Sequence, residues 1–160
     1  MNKLMSIVLA GLVGLMTWSG IATAATEGAK QKVVYHINED DPKQQTGALR
    51  NIQNLINAVG KDNLDLRVVM HGNGVSLVLL PDALGRVKGF KNANADPQMQ
   101  ASIDALKGQG VAFKVCNNTL TNRKVNRDED LYMVGAADIV PRGVAELAIL
   151  QGQGFAYIKP

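Results

Sequence analysis

The sequence predicts one three-layer α/β/α domain with a mostly parallel sheet covered on both faces. Three observations carry that prediction. Short β-branched and aromatic runs alternate with amphipathic helical segments, the order that produces right-handed βαβ units. The chain has 160 residues, 46% of them hydrophobic, which suits a single domain with a buried core and excludes a disordered chain. Neither an internal repeat nor a domain linker interrupts the pattern.

The opening residues stand apart from that domain. Lys3 supplies a positive start, Leu4 to Met16 is almost wholly apolar, and Ala22-Thr23-Ala24 is the small-x-small pattern of a signal peptidase site. The apolar run is shorter than the ~20 residues that span a bilayer. Residues 1–24 therefore read as a cleaved secretory signal, cut after Ala24, and residues 25–160 as the domain. An exported, periplasmic protein with no membrane attachment after cleavage is expected. Losing Lys3 lowers the formal net charge from +3 to +2. So small a charge, with no nucleic-acid-binding motif, excludes DNA and RNA as expected partners.

Lys32 to Ile37 (KVVYHI) is the first strand. After the polar Asn38-Glu39-Asp40-Asp41-Pro42, the residues Ala48, Leu49, Ile52, Leu55, Ile56 and Val59 share one helical face, and Gly60 sits at the C-terminal cap. Leu64 to Met70 is a second strand ending at His71-Gly72. Val75 to Leu80 is apolar but short, and reads as the first turns of a short helix. Pro81 to Pro97 is a polar stretch with the composition of a surface loop or lid. Met99, Ile103 and Leu106 mark a helix ending near Gly108 and Gly110. Val111 to Cys116 is a third strand, and Thr119 to Asp130 a short helix plus turn. Ala137 to Val140 is a fourth strand, stopped by Pro141. Val144, Leu147, Ala148 and Gln151 mark the last helix, and Phe155 to Ile158 the last strand.

In an open doubly wound sheet, ligands bind outside the carboxyl ends of the strands, at the switch point of the winding. A strand order beginning 2-1-3 would put that crevice between the first strand, ending at Asn38, and the third, ending at Cys116-Asn117-Asn118-Thr119. His71 and Pro141-Arg142-Gly143 would face the same edge. Cys116 is the only cysteine, so an internal disulfide and any multi-cysteine metal site are excluded. With only two histidines, neither a metal site nor a bound cofactor is expected.

A free thiol in an oxidising compartment is unusual. A strand-end cysteine is often a small buried apolar residue. Here, though, it precedes a polar run that should open a helix. The amides of that helix start, with Arg123 or Lys124 nearby, would favour the thiolate. His71 is a candidate hydrogen-bond partner or proton donor, though His71-Gly72 also reads simply as a turn. His36 reads as a packed or hydrogen-bonded core residue. Arg123 and Arg127 have the ordinary character of a solvated charged face, Arg123 gaining interest from its nearness to Cys116. No Ser-His-Asp set, paired-carboxylate signature or P-loop can be assembled, and Gly72-x-Gly74 lacks the rest of a dinucleotide fingerprint.

Three segments carry a resemblance: Val115-Cys116-Asn117-Asn118-Thr119-Leu120, Val140-Pro141-Arg142-Gly143-Val144-Ala145-Glu146-Leu147, and Leu150-Gln151-x-x-Gly154-Phe155-Ala156-Tyr157-Ile158-Lys159-Pro160. With His71-Gly72 and Val75 to Leu80, they make the chain similar to the DsrE/DsrF-like family, small sulfur-handling α/β proteins that include the YchN-type fold. The resemblance implies a doubly wound five-stranded parallel sheet and a homo-oligomer, a trimer or hexamer. In the family's sulfur-relay members one cysteine carries a persulfide and passes sulfane sulfur to a partner protein. Cys116 is the one position here that matches it. The sequence after the cysteine differs from that of the relay members, which are also typically cytoplasmic.

The leading expectation is thus an exported sulfur-handling protein in which Cys116 takes up sulfane sulfur as a persulfide and passes it on, with a sulfur donor or acceptor protein as partner. A disulfide oxidoreductase would need a second, resolving cysteine. The alternative is a non-catalytic module of the same fold, its crevice lined by Asn38, His71, Asn117 and Arg142, that binds a small ligand or assembles with partners. A third reading is a peroxide-sensing thiol.

Overall fold

The structure, a computed structural model, describes residues 30–160. The expected signal segment, residues 1–24, lies outside the described residues. Five strands form a wholly parallel sheet: β1 (Gln31–Ile37), β2 (Leu64–Met70), β3 (Ala112–Cys116), β4 (Ile139–Val140) and β5 (Ala156–Ile158). Their order is β4-β3-β2-β1-β5. Five α-helices accompany them: α1 (Pro42–Val59), α2 (Pro97–Gly108), α3 (Asn117–Arg123), α4 (Arg127–Asp130) and α5 (Gly143–Gly152).

The expected order beginning 2-1-3 is corrected, because β2 lies between β1 and β3. Right-handed crossovers permit either order, and an apolar run carries no record of its neighbour. The chain steps one way from β1 to β4, and only β5 returns to the far side of β1. The winding therefore reverses between β1 and β5, and the anticipated crevice between the first and third strands does not exist.

Strand alternation divides the sheet into two unequal faces. Val33, Tyr35, Ile37, Leu66, Val68, Met70, Phe113 and Val115 turn one way, against Leu49, Ile52 and Ile56 of α1 and Met99, Ile103 and Leu106 of α2. Val34 and Val69 turn the other way and meet only Leu147 and Leu150 of α5 with Phe155. The two longest helices begin alike, on an aspartate followed by proline. The Asp41 carboxylate accepts from the Lys43 and Gln44 amides, and that of Asp96 from the Met99 amide. Proline suits the next position, where no amide is needed.

Three sequence expectations shift. The fourth strand shrinks to Ile139–Val140, because Asp138 accepts from the Gly135 amide at 3.0 Å and closes a 3-10 turn over Ala136–Asp138. On α5 the buried residues are Gly143, Leu147 and Leu150, while Val144 is 66% exposed and Ala148 is also outside. Pro81 to Pro97 is no free lid but a packed strap. Ala83 and Ala95 are fully buried, Arg86 holds the buried Asp130 at 2.8 Å, and Asn94 donates to the Asp40 carbonyl and the Gln45 side chain. Among the described residues no helix is long and apolar enough to cross a membrane.

Candidate functional site

Register decides which side chains share the carboxyl edge of the sheet. Met70 pairs with Val115 and Ile37 with Met70, so His71 continues level with Cys116, and His36 precedes them on the same face as Val34 and Val69. Val34 pairs with Tyr157. Read across β3, β2, β1 and β5, the α5 face therefore carries Cys116, His71, His36 and Tyr157 in a row.

Cys116 is the last residue of β3 and the residue from which α3 starts. It is 5% exposed and bounds a hollow of about 240 Å³ together with His71, Gly72, Asn118, Thr119, Arg142, Gly143 and Val144. Burial pushes the thiol pKa up. Hydrogen bonds from the Gly143 amide, the Thr119 hydroxyl and amide, and the Asn118 amide outweigh burial and hold it below the ordinary value. No side-chain capping bond of regular geometry closes onto the sulfur in the structure. A thiol is a weak acceptor, so these donors act on the charged form. The Thr119 hydroxyl is itself anchored, accepting from the Gly72 amide at 3.0 Å. Neither α3 nor α5 has a side-chain cap. The Asn118 amide also donates to the Pro141 carbonyl at 3.3 Å, so the Thr119 and Gly143 amides are the ones left to the sulfur alone.

Gly143 lets α5 approach this closely. A Cβ there would fall 2.8 Å from His71 Cβ and 3.3 Å from Cys116 Cβ, so the glycine is what seats the two side chains side by side beneath the helix start. His71 Nε2 lies 2.7 Å from His36 Nε2, and His36 Nδ1 lies 2.6 Å from the Tyr157 hydroxyl. Burial chiefly, with the charges of His71 and Lys159, lowers the His36 pKa to about 4 against a smaller upward pull from Glu39. Burial and Lys159 lower His71 as well. Both shifts favour the neutral imidazole.

The candidates from the sequence are thereby divided. Cys116, His71 and Arg142 come together around one hollow. Asn38 does not join them. It lies in a small pocket between β1 and the chain end with His36, Gln45, Lys159 and Pro160, and its Oδ1 is buried without a partner. Asn117 faces a different depression, with Leu120, Arg127 and Ile139. Its neighbour Asn118 takes the expected place, because the second and third amides of a helix are the ones aimed back at its start. Arg123 turns away to the strap, donating to Gly89 O at 2.9 Å and Asn73 Oδ1 at 2.7 Å over the Phe90 ring. The predicted crevice lined by Asn38, His71, Asn117 and Arg142 is thus replaced by one lined by His71, Cys116, Asn118, Thr119 and Arg142. His36 is hydrogen-bonded as expected, though at the edge of the site rather than in the core. Tyr157 and Lys159 were not anticipated. Among the described residues no group of three His, Cys, Asp or Glu side chains could hold a metal ion.

The fold and site define a class: a small α/β/α protein whose one cysteine sits at the carboxyl edge of a parallel sheet among helix-start amides. The chain belongs to the DsrE/DsrF-like family, whose model matches residues 32–160. Similar solved structures include two that cover most of this chain. One is the protein of unknown function MTH1491 from Methanobacterium thermoautotrophicum, 29% identical, covering 82% of this chain and 100% of that one with a TM-score of 0.65. The other is the ychN protein from E. coli, 20% identical, covering 81% and 99% with a TM-score of 0.57, a likeness of fold. None of the curated proteins matches. Family membership points to a sulfur-related role.

Proposed function

We propose that the protein takes up sulfane sulfur on Cys116 and passes it to an acceptor thiol. The observation that carries this reading is the set of donors around the sulfur: two helix-start amides, a third amide from α5 and the Thr119 hydroxyl, which together favour the thiolate despite burial. With thiosulfate as donor, the thiolate attacks the outer sulfur, a Cys116–S bond forms, and the S–S bond of thiosulfate breaks with its electron pair leaving on sulfite. Attack by an acceptor thiolate on the terminal sulfur of the persulfide then returns the Cys116 thiolate. Arg142, at the mouth of the hollow, supplies the positive charge that such an anion needs.

Export and cleavage after Ala24 belong to the same reading and rest on the sequence of residues 1–24. A homo-oligomer is supported by α5, which is apolar on its outer side as well. Val144 is 66% and Ile149 54% exposed, a pattern a free helix seldom shows. Intact mass after incubation with thiosulfate or polysulfide tests the carrier role. The wild-type protein should gain sulfur mass and the Cys116→Ser variant none; equal gain by both removes the proposal. A second reading, a binding module with an inert thiol, is favoured by the 5% exposure of Cys116. It predicts that iodoacetamide leaves the native thiol unmodified.

A further inference from the structure

The chain's two histidines are neighbours, and their arrangement constrains where protons can be. Only one proton can lie between His36 Nε2 and His71 Nε2 at 2.7 Å. The same holds between His36 Nδ1 and the Tyr157 oxygen at 2.6 Å. The donor and acceptor roles of all three side chains are therefore locked together. When the Tyr157 O–H donates to His36 Nδ1, His36 donates through Nε2 to His71, whose own proton must sit on Nδ1. When His36 Nδ1–H donates to Tyr157 instead, His71 donates through Nε2 and its Nδ1 is bare.

Passing between these two states moves one proton from one end of the row to the other. The inner end is His71 Nδ1, which has no protein partner among the described residues, on a side chain that bounds the same hollow as Cys116. The outer end is Tyr157, which is 42% exposed.

We propose that Tyr157, His36 and His71 form a proton relay between the Cys116 hollow and solvent. The inference rests on the sulfur-exchange reading of Cys116. In the state with a bare Nδ1, His71 takes up from the hollow the proton that the thiol releases, its Nε2 proton passes to His36, the His36 Nδ1 proton passes to the Tyr157 oxygen, and Tyr157 releases its outward proton to water. The thiolate left behind attacks the sulfane sulfur of a donor persulfide. The S–S bond of the donor breaks with its electron pair on the leaving thiolate, and the relay run in reverse supplies that thiolate with a proton. Protons and electrons balance with no further reactant. The charged and titratable groups around the pair are Lys159 and Glu39, with Arg142 and Cys116 at the hollow that His71 bounds, beside Tyr157 itself. Lys159 opposes a second positive charge on the imidazoles, so they stay neutral, as a relay requires.

Two readouts test the relay. The first is the single-turnover rate of sulfur loading, with a low-molecular-weight persulfide as probe, in wild type, Tyr157→Phe and His36→Gln. Each variant keeps the edge filled but breaks proton passage. Both should load to the wild-type end-point mass about a hundredfold more slowly at pH 7, the low end of what a positioned acid–base group contributes. The second, in sulfur-free protein, is NMR exchange with solvent of the proton shared by the two Nε2 atoms, expected to slow about tenfold in Tyr157→Phe. Loading rates within twofold of wild type in both variants overturn the relay, and so does unchanged exchange in Tyr157→Phe. Should the wild type load no sulfur, the carrier reading falls and exchange alone decides: slowed exchange keeps the relay, unchanged exchange ends it. Should His36→Gln not fold, Tyr157→Phe, changed at an exposed hydroxyl, still decides.

Discussion

The helix starts of this molecule fall into two kinds. α1 and α2 are closed by their own aspartates, Asp41 accepting from the Lys43 and Gln44 amides and Asp96 from the Met99 amide. α3 and α5 have no side-chain cap, and their first amides lie toward the sulfur of Cys116 instead. Unpaired helix-start amides thus serve stability in one region and the thiolate in the other. The faces of the sheet repeat the contrast. The side of α1 and α2 buries a broad apolar core with a satisfied Gln45–Ser76–Asn94 cluster. The side of α5 buries an apolar cluster of only five residues and carries the whole row from Cys116 to Tyr157.

Gly143→Ala breaks the contrast most severely. Its Cβ would be placed 2.8 Å from His71 Cβ, so α5 must move off the sheet and take its amide from the sulfur. The expected cost is about 2 kcal/mol, in the range for overpacked interiors. Thermal unfolding should fall by roughly 8 °C, and the midpoint of iodoacetamide alkylation should move to higher pH. An unchanged melting point together with unchanged alkylation would show that α5 does not press on the site.

A matched pair sharpens it. Asp96→Ala removes a cap that serves only its own helix and should cost about 1 kcal/mol while leaving the pH dependence of Cys116 alkylation where it was. Thr119→Val should cost a similar amount, about 1–2 kcal/mol, because the Gly72 amide loses its acceptor. Unlike Asp96→Ala, it should also raise the alkylation midpoint, since the thiolate loses a hydroxyl donor. If both variants shift alkylation equally, the division between the two kinds of helix start is wrong.

How much of this was legible in the sequence follows the same division. Gly60 and the apolar stripes of α1 and α2 are local signals, and both helices stand where those stripes put them, each starting earlier on an Asp-Pro pair expected to lie in a loop. Cys116 at the end of the third strand was legible for the same reason. What was not legible depends on neighbours. Strand order is decided by which crossover packs where, so the place of β5 beside β1, and with it Tyr157 and Lys159 beside His36, had no local signal. The helix after Cys116 starts at Asn117, two residues before the expected Thr119, and each residue turns a side chain by about 100°, so Asn118 rather than Asn117 faces the hollow. One usable signal was overlooked. His36, His71 and Cys116 sit at matching alternate positions of three strand ends, which a parallel register brings to one face.

The smallest expected effect concerns His36 and the acid stability of the row. Its pKa is about 4 in the folded protein, below the ordinary value of 6.5. Above pH 6.5 the imidazole is neutral in both the folded and the unfolded chain and pH has no leverage on stability through it. As pH falls below 6.5 the unfolded chain binds a proton that the folded chain refuses until about pH 4, so stability is lost across that window. Because the side chain is only partly buried, the loss is about 1 kcal/mol by pH 5 rather than the full value of the shift. His36→Gln gives up the hydrogen bonds to His71 and Tyr157 at every pH, yet its melting temperature should fall less steeply than that of wild type between pH 6.5 and 4. Equal slopes would mean that His36 takes up its proton as readily in the folded row as in water. The Nε2–Nε2 contact would then hold a charged imidazole, and the carboxyl edge would be as open to solvent at His36 as it is at Tyr157.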